Sequence, residues 1–395
     1  MNNILKILLK IIHNYKWYFG IVIVIAIAVS FQHYVYTPPP GSVDAKYNYT
    51  HYNNFLIFRQ SFFHLIQHKG LYVSYPNEYY DLYKYTPTFA LLMAPFAYLP
   101  DIAGLVLWNI LNAVVLFYAF RTFPFTDEKK QLFAIGFILL EAITSLMISE
   151  SNCLMAGLFV LAYIAIEKKN IVLATFLILL TVFIKPFGLV ALSLFLFYPG
   201  KWKAFVFSFL WSGLLFVLPL IAISSHELIN AYASWIAMLK NDHAISYGIS
   251  VMSWLYSWFG IEAKNYALLV GVVLFILPLL RYKLFQYTSY RQLFLASILI
   301  WVVIFNHKAE SPAFIIAISG VAIWFSQSTS KINRALIVIA FLFTILSPMD
   351  IYPEFIRDQF FMPYSIKAVP CIIIWIKILY ELLTRNFSLQ PRNLD

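Results

Sequence analysis

The chain is a succession of apolar runs separated by segments that carry lysine and arginine. The runs lie at 18–36, 102–120, 132–148, 153–167, 171–184, 186–198, 205–223, 265–281, 292–305, 312–327, 335–348 and 364–383. A helix needs about 20 apolar residues to cross the hydrocarbon of a bilayer, and most of these runs reach or approach that length. Soluble packing cannot absorb them. The chain is 62% apolar and 12% charged, against about half and a quarter in an ordinary soluble domain, so too little polar surface exists to cover soluble cores. A soluble enzyme, a disordered chain and a fibrous chain are excluded. The expected fold is an all-α polytopic integral membrane protein with about twelve transmembrane helices, within a range of roughly 10–13.

Charge parity sets the expected orientation. The pair 171–184 and 186–198, split at Lys185 and Pro186, counts as two crossings, because merging them would invert every later loop. With the N-terminus inside, the inner segments then hold Lys6, Lys10 and Lys16; Arg121, Lys129 and Lys130; Lys168 and Lys169; Lys201 and Lys203; Arg281, Lys283 and Arg291; Lys331 and Arg334; and Arg385 and Arg392. These are more than half of the 28 basic residues, as the positive-inside bias requires. Both termini are expected in the cytoplasm. The first run is read as a span and not a cleavable signal, since Thr-Pro-Pro-Pro follows it in place of a small-residue cleavage site. The net charge of +10 is membrane-flanking charge, so no nucleic acid partner is expected. Cys153 and Cys371 form neither a disulfide framework nor a metal spacing.

The chain reads as a single membrane domain over 1–395, with a first extracytoplasmic loop at 37–101, a second at 224–264 and a shorter one at 349–363. In the first, "NNFLIFRQSFFHLIQHKGLY" places Phe55, Phe58, Phe62, Phe63, Leu65 and Ile66 as an amphipathic helix expected to lie along the membrane surface. The following "YKYTPTFALLMAPFAYLP" is bounded by Pro87 and Pro100 and broken by Pro95, which suits a re-entrant or interfacial segment. No internal repeat supports a transporter-type pseudosymmetry.

Ionisable groups within or beside spans are costly and are functional candidates by default. In this topology they collect on the outer face: Glu150 and Asn152 in "ISESNC", Lys185 at the broken helix pair, His307, Lys308 and Glu310 in "NHKAESP", Asp242 and His243 in the second loop, and Arg59, Asp81 and Lys84 in the first. Each has a plainer reading. A polar turn needs polar residues, Lys185 can snorkel, and the tyrosines from Tyr72 to Tyr85 can form an interfacial belt. Glu141 lies in mid-span, as a partner for another polar group or as a protonated carboxyl. Taken together, carboxylates can remove a proton from an acceptor hydroxyl, cations can hold and stabilise a departing phosphate, and aromatic faces can cover sugar rings. That combination suits sugar transfer from a polyprenyl-phosphate donor.

These segments resemble glycosyltransferase family 87. "GLY…YKYTPTFALLMAPFAYLP" is similar to the family's Tyr-x-Pro-Pro-like segment leading to Leu-Pro. Ser149, Glu150 and Asn152 stand at its Gly-Gln-x-Asn, Lys185 and Pro186 at its Lys-x-x-Pro-like element, "NDHAISYGISVMSWL" at its Asn-x-Ser region and "NHKAESPAF" at its late polar turn. The resemblance covers about 53–325. It implies the GT-C architecture of multispan transferases, an extracytoplasmic active site in a bacterial inner membrane, and polyprenyl-phosphate-mannose-dependent transfer. One departure stands out: the family's acid at the start of the surface helix, its presumed base, is replaced here by Asn53 and Asn54, which cannot take a proton.

The expected activity is therefore transfer of a hexose, with mannose the first candidate, from a polyprenyl phosphate to a lipid-linked or glycolipid acceptor. Asp81, Asp44 and Glu310 are the candidate bases, in that order. Arg59, Lys84, Glu150, Asn152, Lys185, Asp242, His307 and Lys308 are candidates for substrate and phosphate binding, and Tyr83, Tyr85 and Trp254 for stacking on the sugar. No Asp-x-Asp pair is present, and neither metal nor cofactor is expected. The rival readings are a transporter or flippase of a lipid-linked sugar, whose polar groups would spread through the midplane, and a polymerase or ligase of surface polysaccharide.

Overall fold

The computed structural model describes residues 3–36, 50–198, 200–243, 247–262, 264–327, 330–348 and 351–387. Every element among them is helical. The main helices are α1 (Asn3–His13), α2 (Tyr15–Val35), α3 (Asn53–Ile66), α4 (Asp101–Thr122), α5 (Glu128–Met147), α6 (Asn152–Glu167), α7 (Ile171–Ile184) and α8 (Lys201–Val217). They continue with α9 (Ser225–His243), α10 (Val251–Phe259), α11 (Lys264–Ile276), α12 (Thr288–Ile304), α13 (Phe314–Gln327), α14 (Lys331–Ala340) and α15 (Val369–Thr384). Among the described residues five helical stretches are long and apolar enough to cross a membrane: Tyr15–Val35, Asp101–Thr122, Glu128–Met147, Lys201–Ile221 and Lys264–Gln286. Shorter apolar helices cover Asn152–Glu167, Ile171–Ile184, Pro186–Phe195, Thr288–Ile304 and Ser311–Gln327. The protein is integral to a membrane.

The chain packs as two compact units interleaved along the sequence. One comprises Met1–Thr122, Ala142–Leu189 and Trp202–Ile245; the other comprises Phe123–Glu141, Val190–Lys201 and Ser246–Asp395. Hydropathy reads them as one domain because both are made of the same apolar helices.

In the first unit α4 packs on α2 and α6, and α6 on α7. Helix α6 is buried on nearly every side, as expected of a helix that is apolar all round. Gly157 permits its close approach to α4, where a Cβ would lie 2.8 Å from the Leu116 nitrogen. Helix α3 buries Phe55, Phe58, Phe62 and Leu65. Phe58 meets Tyr85, Phe89 and Trp108 edge-on at centroid distances of 4.8, 5.3 and 5.8 Å, contacts that each contribute about 0.5–1.5 kcal/mol beyond burial. The apolar face of α3 is thus covered by protein, where the sequence reading assigned it to the membrane surface. The aromatic residues that cover it come from the loop and from α4, which periodicity within α3 cannot reveal.

Two short helices, Pro87–Leu92 and Ala94–Ala97, follow the loop. Met93 separates them, and Pro95, in the first turn of the second, cannot donate to the preceding turn. Thr86 caps the first by accepting from the Phe89 N–H at 3.2 Å, while its hydroxyl donates to the Phe183 carbonyl. Thr88 donates to the Leu215 carbonyl at 2.6 Å. Helix α7 ends at Ile184, and Lys185 is extended (φ −137°, ψ 127°) because Pro186 excludes the helical region from the residue before it. The chain resumes as a 3-10 helix, Pro186–Phe195.

In the second unit α12 packs on α13 and α15, and almost every side chain of α12 and α13 is buried. Several polar groups in this apolar core are paired. Trp375 donates to Ser297 Oγ and Trp301 to the Gly271 carbonyl, each at 3.0 Å. The Lys367 ammonium meets Glu141 Oε1 at 2.8 Å, and Thr344 Oγ1 donates to the Lys367 carbonyl at 2.9 Å.

Candidate active site

The turn at 149–152, between α5 and α6, is held from α4 and α3. Trp108 Nε1 donates to the Ser149 carbonyl at 2.8 Å. Asn109 Nδ2 donates to the Leu146 carbonyl at 3.2 Å, and Asn112 Oδ1 accepts from the Leu154 N–H at 3.0 Å. Asn54 Nδ2 donates to the Ile148 carbonyl at 3.2 Å. This scaffold maintains Ser149 in the left-handed region at φ 55°, a conformation that a non-glycine residue keeps only when its surroundings impose it.

On that turn three candidate residues converge. Lys185 Nζ lies 2.9 Å from Asn152 Oδ1 and 3.3 Å from Glu150 Oε2, and Asn152 Nδ2 donates to the same Glu150 oxygen. The pair is mostly withdrawn from solvent, with 20% of the Lys185 side chain and 10% of the Glu150 side chain exposed. Lys185 Nζ also sits over the Tyr85 ring, 5.5 Å from its centroid. A cation over an aromatic face gains about 0.5–2 kcal/mol, more as it is desolvated. Burial pushes the Tyr85 phenol up to about 12, with Lys185 pulling the other way, so Tyr85 is a neutral hydroxyl at physiological pH. The cluster presents a fixed ammonium, a carboxamide and a carboxylate beside an aromatic ring. Such a group can bind a phosphate oxygen and stabilise charge that develops on it.

A tyrosine tier extends from this point. Tyr85 lies 5.8 Å from Tyr83, and Tyr83 lies 5.9 Å from Tyr72, centroid to centroid. Tyr83 is fully buried and donates its hydroxyl to the Thr86 carbonyl at 2.7 Å. Its ring is a support and offers no open face to a sugar, in contrast to the stacking role expected for it. Tyr85 is half-buried.

The first-loop charges pair among themselves. Asp81 has a left-handed backbone (φ 78°). It accepts from the Leu82 N–H and from Lys84 Nζ, each at 2.7 Å. Arg59 pairs with Asp101 at 3.2 Å and covers the Phe63 ring at 5.1 Å. Asn53 exchanges two 2.8 Å bonds with the backbone of Tyr80, accepting from its N–H and donating to its carbonyl. The two asparagines at the position of the expected acid are thus clamps, one on the tyrosine loop and one on the 149–152 turn.

His307, Lys308, Glu310 and Trp254 belong to the second unit. Lys308 N–H donates to Asn306 Oδ1 at 3.0 Å, and the Ile249 N–H donates to the Ala309 carbonyl at 2.7 Å. His307 and Lys308 therefore lie on a turn bound to the segment before α10, with Glu310 exposed just beyond it. Gly248 makes the approach possible: its φ is 55°, and a Cβ there would lie 2.7 Å from the His307 carbonyl oxygen. Trp254 packs edge-on against Phe259 at 5.5 Å and lines an apolar recess with Phe305 and Trp375, a lining with few groups to recognise sugar hydroxyls. Asp44 lies outside the described residues, and Asp242 is described only as backbone within α9.

Sequence reasoning missed the scaffold. Asn109 and Asn112 are carboxamides one turn apart in an apolar span, and that spacing was the available signal. Lys367 beside its span is indistinguishable in sequence from a snorkelling lysine, so its pairing with Glu141 was not legible. No curated protein matches the chain. The model of glycosyltransferase family 87 matches residues 83–348, well over half of the chain and including Glu150, Asn152, Lys185 and the 306–311 turn. With its apolar helices and the cluster on the 149–152 turn, the chain belongs to glycosyltransferase family 87.

Proposed function

We infer that this membrane glycosyltransferase moves one hexose, with mannose the first candidate, from a polyprenyl phosphate to a lipid-linked or glycolipid acceptor. The observation that carries the reading is the Lys185 ammonium, held by Glu150 and Asn152 against the face of Tyr85. In the proposed reaction the acceptor hydroxyl attacks the anomeric carbon, and the bond from that carbon to the phosphate oxygen breaks. The bond's electron pair leaves with polyprenyl phosphate, and the hydroxyl proton passes to a carboxylate. Lys185 binds the phosphate and stabilises the charge that grows on it. Asp81, four residues before Tyr85 in the same unit, is the first candidate base, ahead of Asp44 and Glu310. Tyr85 is the retained stacking candidate. The reaction is assigned to the extracytoplasmic face of a bacterial inner membrane, with both termini in the cytoplasm, and no metal or other cofactor is invoked.

The test is incubation of purified protein with radiolabelled polyprenyl-phosphate mannose and a membrane lipid extract. A labelled glycolipid is the expected product. Absence of product with any polyprenyl-phosphate sugar overturns the reading.

A further inference from the structure

A second cavity-forming region lies wholly within the first unit. Residues 65–82, Ile223 and helix α9 line an open cavity of about 560 Å³, within the size range of small-molecule sites. Its floor is apolar, formed by Leu71, Tyr72, Leu82, Ile223 and Met238. Its rim carries Lys69, Glu227, Asn230, Ser234 and Asn241. Helix α9 is tied to the opposite wall through His68, whose Nδ1 lies 2.8 Å from Glu227 Oε1. Glu227 is itself fixed, because its second oxygen accepts from both the N–H and the hydroxyl of Ser224 at 2.8 Å. His68 keeps a left-handed backbone at φ 59° to reach it.

The lining selects a class of ligand. One lysine and one carboxylate share the rim with carboxamides and a hydroxyl, so no single sign of charge dominates. A phosphate or a strongly charged peptide would meet an opposing group. A neutral polyhydroxylated group meets donors and acceptors around its edge and an apolar floor under its C–H face. The cavity also shares a wall with the Lys185 cluster. Tyr72, on its floor, donates to the Tyr85 carbonyl at 2.9 Å, and the Tyr72–Tyr83–Tyr85 tier ends under the Lys185 ammonium. An acceptor seated on one side of this wall would lie beside a donor whose phosphate is held on the other.

We propose that this cavity receives the glycosyl end of the acceptor glycolipid. The proposal rests on the transfer reading above and adds to it a separate acceptor subsite, with α9 supplying its polar edge.

The experiment uses the full-length protein in lipid nanodiscs and an alkyl mannoside carrying a diazirine, with adducts located by mass spectrometry. Labelling is expected in peptides from 65–82 and 223–241, suppressed by excess octyl mannoside. Ser234→Trp, which fills the cavity from an exposed position, is expected to cut labelling by about tenfold and to raise the KM for octyl mannoside by a similar factor. The donor KM should stay within about twofold in the same variant. Asn230→Ala, a smaller change on the exposed face of α9, should weaken labelling several-fold and serves if the tryptophan variant does not fold. Adducts elsewhere in an actively transferring protein, or wild-type labelling in both variants, overturn the subsite. Labelling at the cavity in a protein that transfers from no polyprenyl-phosphate sugar supports a glycoside site and removes the transfer reading instead.

Discussion

Glu141 and Lys367 form a 2.8 Å ion pair in the apolar core of the second unit, with 0% and 6% of their side chains exposed. Lys367 also lies over the Phe314 ring at 5.4 Å. Removing one member leaves the other buried and uncompensated, which costs about 3–5 kcal/mol, whereas replacing both with apolar groups of similar volume is often close to neutral. Glu141→Ala is therefore expected to lower the unfolding temperature in detergent far more than the double change Glu141→Leu with Lys367→Met. Equal losses in the two would show that the charges are not coupled.

Lys185 is the cation to which the proposed chemistry assigns the leaving phosphate. Lys185→Met should reduce kcat by about 10²–10³-fold, the usual effect of deleting one preorganised electrostatic group. Lys185→Arg should retain part of the activity, because the charge remains while the planar guanidinium fits a point-charge site poorly. Steady-state transfer with labelled donor measures both, and a Met variant with wild-type kcat would remove Lys185 from the mechanism.

The clamp between Asn53 and Tyr80 needs both a donor and an acceptor on one side chain. Asn53→Asp keeps the acceptor and sets a carboxylate oxygen against the Tyr80 carbonyl, so it should loosen the tyrosine loop at a cost of about 1–3 kcal/mol. Amide hydrogen exchange at Tyr80 and Leu82 should accelerate. If exchange is unchanged, the clamp does not hold the loop.

His64 gives stability a pH dependence. Its ring lies 3.9 Å from that of Tyr75 and its Nε2 lies 2.9 Å from Glu78 Oε2. Burial holds its pKa below the ordinary 6.5, against the opposing pull of Glu78. The unfolded chain therefore takes up the proton first as pH falls. His64 costs nothing above about pH 6.5, and stability declines as pH drops from there through the lowered folded value. Melting curves at stepped pH should show a shallower acid decline in His64→Asn; an unaltered slope would assign the decline to other groups.

Gly248 lies in the left-handed region with the His307 carbonyl against its α-carbon. Gly248→Ala adds about 1–2 kcal/mol of backbone strain to a direct clash. It should detach the turn carrying His307 and Lys308 and lower the unfolding temperature. Limited proteolysis within 305–311 would register the detachment, and an unchanged digestion pattern would contradict it.

The sequence carried the helices well. The apolar runs fall on helices, and Pro186 ends α7 where its steric effect on Lys185 requires. Glu150, Asn152 and Lys185 were legible as candidates because polar side chains beside spans are costly and rarely idle. Their convergence was not legible, since it depends on the carboxamides of α4 and on the packing of α6 against α7. The pairing of Asp81 with Lys84 and of Arg59 with Asp101 was equally hidden, because charge content is visible in a sequence and partner choice is not. The division into two units escaped hydropathy altogether, as lipid-facing and protein-facing apolar surfaces have the same composition.

Helix α6 has protein on nearly all sides, and of its two main neighbours α4 comes before it in the chain and α7 after it. Asn112 on α4 is already synthesised when the 149–152 turn emerges from the ribosome, so the turn has its scaffold at once. Lys185 comes only at the end of α7. During biosynthesis the Glu150 carboxylate must therefore wait, unneutralised by its eventual counter-ion, until translation has passed both α6 and α7.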